Sequence, residues 1–410
     1  MINRVPLRCS TCNESVLTRT AIGHSDYQEF AFPCPGCGVE IRFGMDLDQE
    51  AGAFEYRKPI NAVWDEQAND YSTTLTFDAE ILVPRDPSRL CDNTISPFIY
   101  MVSSVKNMME FKRISMLRMK LFQDVWPVLR NCHIHFTNGN WDLYRQEFRK
   151  IAPEFIEDDV ELLVRHHLRH LHRFSSVFRP GSDSMSQLLR QRVNLAESVS
   201  ASACADFLRY LQRIGWDQHL FEELMGLKER WRAVYGVVQP VYAYYDLADG
   251  VDIADFTLSQ KRFDDIKGFF VDSYETLCRI SLIAGAIEGI IAGLTLQVPS
   301  TQRSIPVEEY RAMSNGMKKD VVCLWPSAAA FAQMGGNQLR NGVGHHSARY
   351  SVVTDSIEYR IENRAGVNTS SISYMEFCLQ LVKTYSSLEL ASVLVHWVVA
   401  RRYGLTGKVV

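Results

Sequence analysis

The chain has 410 residues, a formal net charge of -4, and 46% hydrophobic against 22% charged residues. That length accommodates two to four domains, and that composition excludes a disordered chain. The charge excludes a positive field over the whole molecule, so any nucleic-acid contact needs a local basic patch.

Met1 to Arg8 carries two arginines with no apolar run behind them, so no signal peptide is expected. Cys9-Ser-Thr-Cys12 is followed by 21 residues and then Cys34-Pro-Gly-Cys37-Gly38. A two-residue spacer lets both thiolates of a knuckle reach one ion, and glycine or proline permits the tight turn. The pattern predicts a zinc ribbon over residues 1–46 with Cys9, Cys12, Cys34 and Cys37 as ligands. Its strands are expected at Ser15 to Ala21, Tyr27 to Phe32 and Glu40 to Phe43. Four thiolates close the coordination shell, so the ion is expected to be structural, and His24 stays outside it. A pair of disulfides is the alternative. The other six cysteines (Cys91, Cys132, Cys204, Cys278, Cys323 and Cys378) are scattered, which fits a reducing cytoplasm.

Residues 47–95 read as a small β-rich segment. Thr73 to Asp78 and Glu80 to Val83 alternate or run apolar, and Pro84 to Pro97 is a loop. Residues 96–255 read as a helical middle domain. Met109 to Asn131 has helical spacing, with Pro127 kinking or ending it. Asp158 to Phe178, Ser182 to Ile214, and Phe221 to Leu247 follow as helices, the last despite Pro240. Asp249-Gly250 marks a boundary. Arg165 to Arg173 is the densest basic segment. Val164, Leu168 and Leu171 form its apolar seam, and His166, Arg169, His170 and Arg173 fall on a solvent-facing side. A solvated helix face and an RNA-backbone groove both fit it.

Residues 256–410 form the last expected domain. Ile280 to Leu296 is the most apolar stretch, seventeen residues with Glu288 near its centre. It is short for a membrane span and carries a charge where charge costs most, so it is expected to be a buried core helix with Glu288 paired. Pro306 opens a shorter helix with Glu308 and Glu309 in its first turn. Another covers Ser327 to His345. Tyr350 to Ile361 reads as a β-hairpin, with Tyr350 packed on a helix. Ser373 and Glu376 form a capping box for a final helix that ends at Arg401, Arg402 and Gly404.

Within this last segment stands Leu339-Arg340-Asn341-Gly-Val-Gly-His345-His346. Here the sequence resembles the HEPN superfamily, whose signature is an arginine, four to six residues, and a histidine. The resemblance covers about Phe256 to Tyr403. It implies a mainly α protein whose C-terminal four-helix bundle carries a hairpin insertion. It also implies a metal-independent endoribonuclease that acts as a homodimer, in bacterial antiphage defence or toxin-like growth arrest.

Arg340, Asn341 and His345 are the implied catalytic set. Histidine moves the protons of the 2′-hydroxyl and leaving oxygen, arginine covers phosphate charge, and the amide positions them. Five residues at about 100° put Arg340 and His345 roughly 140° apart on a straight helix. Either Gly342 and Gly344 bend the helix end, or a second chain completes the site. The competing class is a non-catalytic HEPN scaffold whose ribbon engages nucleic acid or a protein partner. Leu129-Arg130-Asn131-Cys-His-Ile-His135 repeats the spacing but leads into a strand-like His133 to Phe136, and is expected to be a coincidence. No Gly-rich phosphate loop, serine-hydrolase elbow or HExxH string occurs.

Overall fold

The computed structural model describes residues 2–23, 25–48, 50–65, 70–90, 96–97, 108–155, 158–178, 183–247, 252–344, 348–363 and 366–405. His24, Cys91, the Asp249-Gly250 break, and the motif histidines His345 and His346 lie outside them. The chain is mainly α, about 57% helical, with small sheets.

The first strands are β1 (Ile2–Cys9), β2 (Ser15–Ala21), β3 (Tyr27–Pro33), β4 (Glu40–Asp48), β5 (Ala53–Ile60), β6 (Ala62–Trp64) and β7 (Thr73–Asp78). Helices follow as α1 (Met108–Lys120), α2 (Trp126–Thr137), α3 (Trp141–Phe148), α4 (Val160–Val177), α5 (Asp183–Val199), α6 (Ala201–Arg213), α7 (Trp216–Leu247) and α8 (Phe263–Ile291). Then come α9 (Val307–Ala312), α10 (Asn315–Val322) and α11 (Asn337–Gly344). The chain closes with β8 (Arg349–Ser351), β9 (Ser356–Asn363), β10 (Gly366–Ser373) and α12 (Tyr374–Arg402).

These elements fall into two compact units. One comprises Met1–Lys112, Ala233–Gly268 and Asn341–Val382, and the other Arg113–Arg232, Phe269–Arg340 and Lys383–Val410. Each is assembled from three separate stretches of chain.

In the first unit one sheet has the order β6-β1-β2-β7 and another β3-β4-β5. Alternation along β1 and β2 turns Val5, Leu7, Cys9 and Val16 inward. They share one core with Phe30, Phe32, Ile41, Phe43, Met45 and Phe77. Phe30 lies 5.3 Å from Phe43 and 5.6 Å from Phe77, a cluster of stacked and edge-on rings. Thr18 also points inward, and its hydroxyl donates to the Val5 carbonyl at 2.9 Å, which satisfies it. Segments far apart in the chain are tied into this unit by buried hydrogen bonds. The Asp78 N–H donates to the Ser259 hydroxyl at 2.8 Å, and the Gln260 amide donates to Ala79 O at 3.2 Å. The C-terminal part forms a three-stranded antiparallel meander, β8-β9-β10, where a two-stranded hairpin was expected. Its third strand, Gly-Val-Asn-Thr-Ser-Ser-Ile-Ser, is polar and mostly exposed, so no alternation marks it.

The second unit is helical. Asp159 caps α4 by accepting from Glu161 N–H at 2.7 Å. The expected long helix from Ser182 to Ile214 is in fact two. Ser200 adopts an extended conformation and caps α6, accepting from Ala203 N–H. The expected strand at His133 to Phe136 is the last part of α2. Ahead of α2, five residues (Leu121–Val125) form a π-helical turn, and Pro127 follows in the first turn of α2. The π turn runs directly into α2, with Trp126 N–H donating to Leu121 O, so Pro127 removes one donor from a continuous helix, and the widened turn ahead of it accommodates the loss without ending the helix. Of the expected core helix Ile280 to Leu296, Ile280 to Ile290 is buried in α8, but the helix ends at Ile291, and Gly293, with a φ of +78°, turns the chain so that Ala292 to Leu296 lie outside it and partly exposed. No helix among the described residues is long and apolar enough to cross a membrane. Glu288 is paired there with Arg192, and the Ser327 hydroxyl donates to it at 3.3 Å. Gly289 allows the backbone of Gln297 to lie against the helix, since a Cβ there would sit 2.0 Å from Gln297 O.

The basic segment of α4 departs from expectation. Arg169 and Arg173 are exposed, but His166 and His170 pack edge-on against Phe155 and Phe148 at 5.0 and 4.7 Å. His167 is fully buried, stacked 4.6 Å from Phe136 and 5.8 Å from His133, and neither of its ring nitrogens has a hydrogen-bond partner among the described residues. Burial holds it neutral, with a pKa well below the ordinary value. Burial also lowers His133, against the pull of Glu222 at 3.3 Å, and lowers His170.

The pH consequence has a definite sign. Above about pH 6.5 both folded and unfolded histidines are neutral and nothing is lost. Below it the unfolded chain takes up protons that the folded core refuses. Stability then falls for each such histidine, by at most about 1.4 kcal/mol per pH unit, until the pH reaches that group's own lowered value. Urea melts at pH 7 and pH 5 should differ accordingly, and His167→Phe, which keeps a flat ring in the stack, should shrink the difference. An unchanged difference in His167→Phe would rule out His167 as the titrating group.

Candidate metal centre and charged cavity

The four cysteines of the two knuckles converge. Their sulfurs all lie within 4.8 Å of one another, with Cys9 3.8 Å from Cys37 and Cys12 3.5 Å from Cys34. Each knuckle offers one buried and one exposed cysteine. Cys9 ends β1 on its inward-facing side, and Cys34 directly follows β3, so both are buried in the ribbon core. Cys12 and Cys37 sit in the exposed turns.

The turns are closed by the backbone. Asn13 N–H donates to Cys9 O at 3.0 Å, and Gly38 N–H donates to Cys34 O at 2.8 Å. Gly38 has a φ of +73°, which glycine adopts without strain. Burial opposes a thiolate at Cys9, but the backbone N–H groups of Cys12 and Thr11 favour it, and its pKa falls to about 7. Asn61 joins the knuckles. Its carbonyl accepts from Ser10 N–H at 3.0 Å, and its side-chain amide donates to Glu40 O at 2.8 Å. Nothing local in the sequence marks Asn61 for this role. The set is a possible metal site, four sulfur donors, and no carboxylate or imidazole joins it among the described residues.

The arginine string is placed as follows. Arg340 belongs to the second unit, in α11, and pairs with Glu275 of α8. Both side chains are about one-fifth exposed. The Asn315 amide donates to the two Glu275 oxygens at 3.1 and 3.0 Å. Asn341 is half-buried and belongs to the first unit. The similar string upstream is spread over one helix surface. Arg130 pairs with Glu229 at 3.1 Å, and Asn131 donates to Glu147 at 3.0 Å.

A cavity of about 570 Å³ lies wholly within the first unit. Its walls come from β3, β4, β5, the start of α8 and β8. Tyr27 lies flat over Gly44, where a Cβ would approach its ring to 2.9 Å. The Arg57 guanidinium stacks 4.1 Å from the Tyr27 ring centroid, and Arg262 stands 5.5 Å from it.

Along one wall Lys261 is nearly buried. It meets Asp355 at 2.5 Å and donates to the Thr257 hydroxyl at 2.8 Å. The Tyr350 hydroxyl donates to Asp355 at 3.1 Å, and Arg85 pairs with it at 3.0 Å. Burial works against the Asp355 carboxylate, but Lys261 and Arg85 hold it below the ordinary range. Asp355 also has a φ of +48°, a conformation rare outside glycine. Tyr350 packs 5.2 Å from Tyr374 of α12, as expected from the sequence. Lys261 and Asp355 are 94 residues apart, and no sequence motif joins them. No known protein family, curated protein or solved structure matches the chain.

Proposed function

We propose that the chain is a metal-independent endoribonuclease whose site is built on Arg340, Asn341 and His345. The observation that carries it is the fixing of Arg340: a largely buried guanidinium held by Glu275, itself held by Asn315. An arginine locked in one orientation is what charge cover on a phosphorane requires. His345 supplies the proton transfers, and a second copy of the chain completes the site as a homodimer. The ion of the four cysteines is zinc. A zinc–thiolate bond of about 2.3 Å places tetrahedral sulfurs about 3.8 Å apart, close to the two spacings above. It is structural, and the cytoplasm supplies the reducing conditions that keep four thiols free. A role in antiphage defence follows from the HEPN resemblance alone.

The same Glu275 pair favours a second role, a non-catalytic dimerising scaffold, because the carboxylate neutralises the charge that a phosphate would meet. One experiment separates the two. The full-length protein is incubated with single-stranded RNA in buffer without added divalent ions and without a chelator, so that the cysteine site is left intact. Cleavage with 2′,3′-cyclic phosphate ends, and none of DNA, is expected. Arg340→Ala and His345→Ala should each slow it by about 10²-fold or more. Cleavage at the wild-type rate in the double variant would overturn the proposal. A wild type that dimerises but leaves RNA intact, with Glu275→Gln equally inert, would establish the scaffold.

A further inference from the structure

We propose that the cavity between β3, β4, β5, the start of α8 and β8 binds the phosphate of a nucleotide, with Arg349 as its anchoring cation. This goes beyond the cleavage proposal and does not depend on it, since every lining residue lies in the first unit and Arg340 lies in the second.

The lining charges are mostly spoken for. Arg42 pairs with Glu29 at 2.8 Å and with Glu40 at 2.5 Å. Arg57 pairs with Asp46 at 2.6 Å, and Arg262 with Asp265 at 2.6 Å. Asp264 is met by Lys267 at 2.5 Å. Two cations, Lys261 and Arg85, share the one carboxylate of Asp355, which offsets the two carboxylates on Arg42. Every acid at the cavity therefore already has a cation. Arg349 is exposed and has no ion pair among the described residues. The lining residues thus carry one surplus positive charge, which matches a single phosphate monoanion or phosphodiester; Glu358, opposite Arg349 in the β8–β9 register, is not part of the lining and makes no ion pair with it among the described residues.

Its size suits one nucleotide, falling within the roughly 300–1,000 Å³ of small-ligand sites. Its remaining walls suit one too. Tyr27 and Tyr350 border it, and the paired carboxylates and guanidinia present acceptors and donors to a base or ribose. The Lys261–Asp355 wall is held rigid by Thr257, Tyr350 and Arg85. A left-handed aspartate kept in place by that many partners is the kind of stored strain that accompanies ligand sites.

The phosphate can belong to a free nucleotide or to an RNA strand, and the experiment tells them apart. Full-length protein is titrated with 5′-AMP, with inorganic phosphate and with a fluorescein-labelled ten-nucleotide single-stranded RNA at low and at 150 mM salt. Saturable binding of AMP identifies a free nucleotide as sufficient, and binding of RNA alone identifies the strand. In either case Arg349→Ala should weaken binding about tenfold or more, the usual worth of a charge-assisted hydrogen bond to phosphate. Arg349→Lys should recover part of the loss. Arg209→Ala, an exposed cation of the second unit, is the control. No binding of any probe at millimolar concentration, or binding that Arg349→Ala leaves intact, would overturn the proposal.

Discussion

Purified, reduced protein should carry one metal ion per chain, and Cys34→Ser should release it and unfold the sheets of the first unit. Cys34 is buried at the end of β3, so the ion is anchored where the strand meets the core. The core of Phe30, Phe32, Phe43 and Phe77 is small for the number of strands it must hold together. The apparent binding free energy of a structural zinc is on the order of 10 kcal/mol, which exceeds what such a core supplies. Elemental analysis gives the stoichiometry, and hydrogen exchange of the β3 and β4 amides gives the unfolding. Cys323→Ser removes an exposed thiol outside the cluster and should change neither. Protein free of metal that nevertheless protects those amides as well as the wild type would show that the four thiols need no ion.

Glu389→Ala should cost about 3–5 kcal/mol, more than an ordinary core truncation of similar volume. Glu389 of α12 and Lys228 of α7 form an ion pair in which both side chains are about 1% exposed. Lys228 also donates to the Ser175 hydroxyl at 2.8 Å. Burial disfavours the Glu389 carboxylate, yet Lys228 holds its pKa below the ordinary range. Removing Glu389 leaves an ammonium buried without its counter-charge, and that desolvation penalty is the main term. The pair also makes stability pH-dependent. Its contribution is complete above about pH 4.3, the unfolded glutamate value, and falls away as the pH drops below it toward the folded value. Urea melts followed by Trp231, which stacks 4.0 Å from Tyr385 of α12, read both effects. The double variant Lys228→Met, Glu389→Leu should regain most of the loss. If Glu389→Ala melts within about 1 kcal/mol of the wild type, water reaches the pair and it is not buried in solution.

Much of the local structure was legible because its causes are local. The Cys-x-x-Cys spacing named all four sulfurs that converge, since a knuckle is a turn and its geometry is set within four residues. Ser373 caps α12 as its position ahead of Glu376 implied, with Glu376 N–H donating to its hydroxyl at 3.1 Å. Gly404 takes the left-handed conformation that ends that helix, at a φ of +75°. Glu288 was marked as paired because an unpaired carboxylate in that apolar run would be costly, although its partner was not foreseeable. Ser200 was missed because apolar spacing continues across it, and a serine at a cap looks like a serine on a helix surface. His133 to Phe136 was misread because four residues carry too little periodicity to distinguish helix from strand.

The sequence by itself therefore determined the four-sulfur cluster, the cap and the end of the final helix, the burial of most of the Ile280 to Leu296 run, and the presence of the Arg340-Asn341 string. Tertiary structure alone decided what these residues meet. Glu275 of α8 holds Arg340 across 65 residues of chain. Lys261 and Asp355 come together only because the strand pairs and buried hydrogen bonds of the first unit gather three distant stretches. The cavity above Tyr27, lined at one edge by Arg349, exists only once β3, β5, α8 and β8 have packed. The physical reason is range: capping, turn formation and thiolate spacing are settled within a few residues, whereas charge pairing and cavity shape depend on which surfaces desolvate each other, and short-range pattern does not encode that.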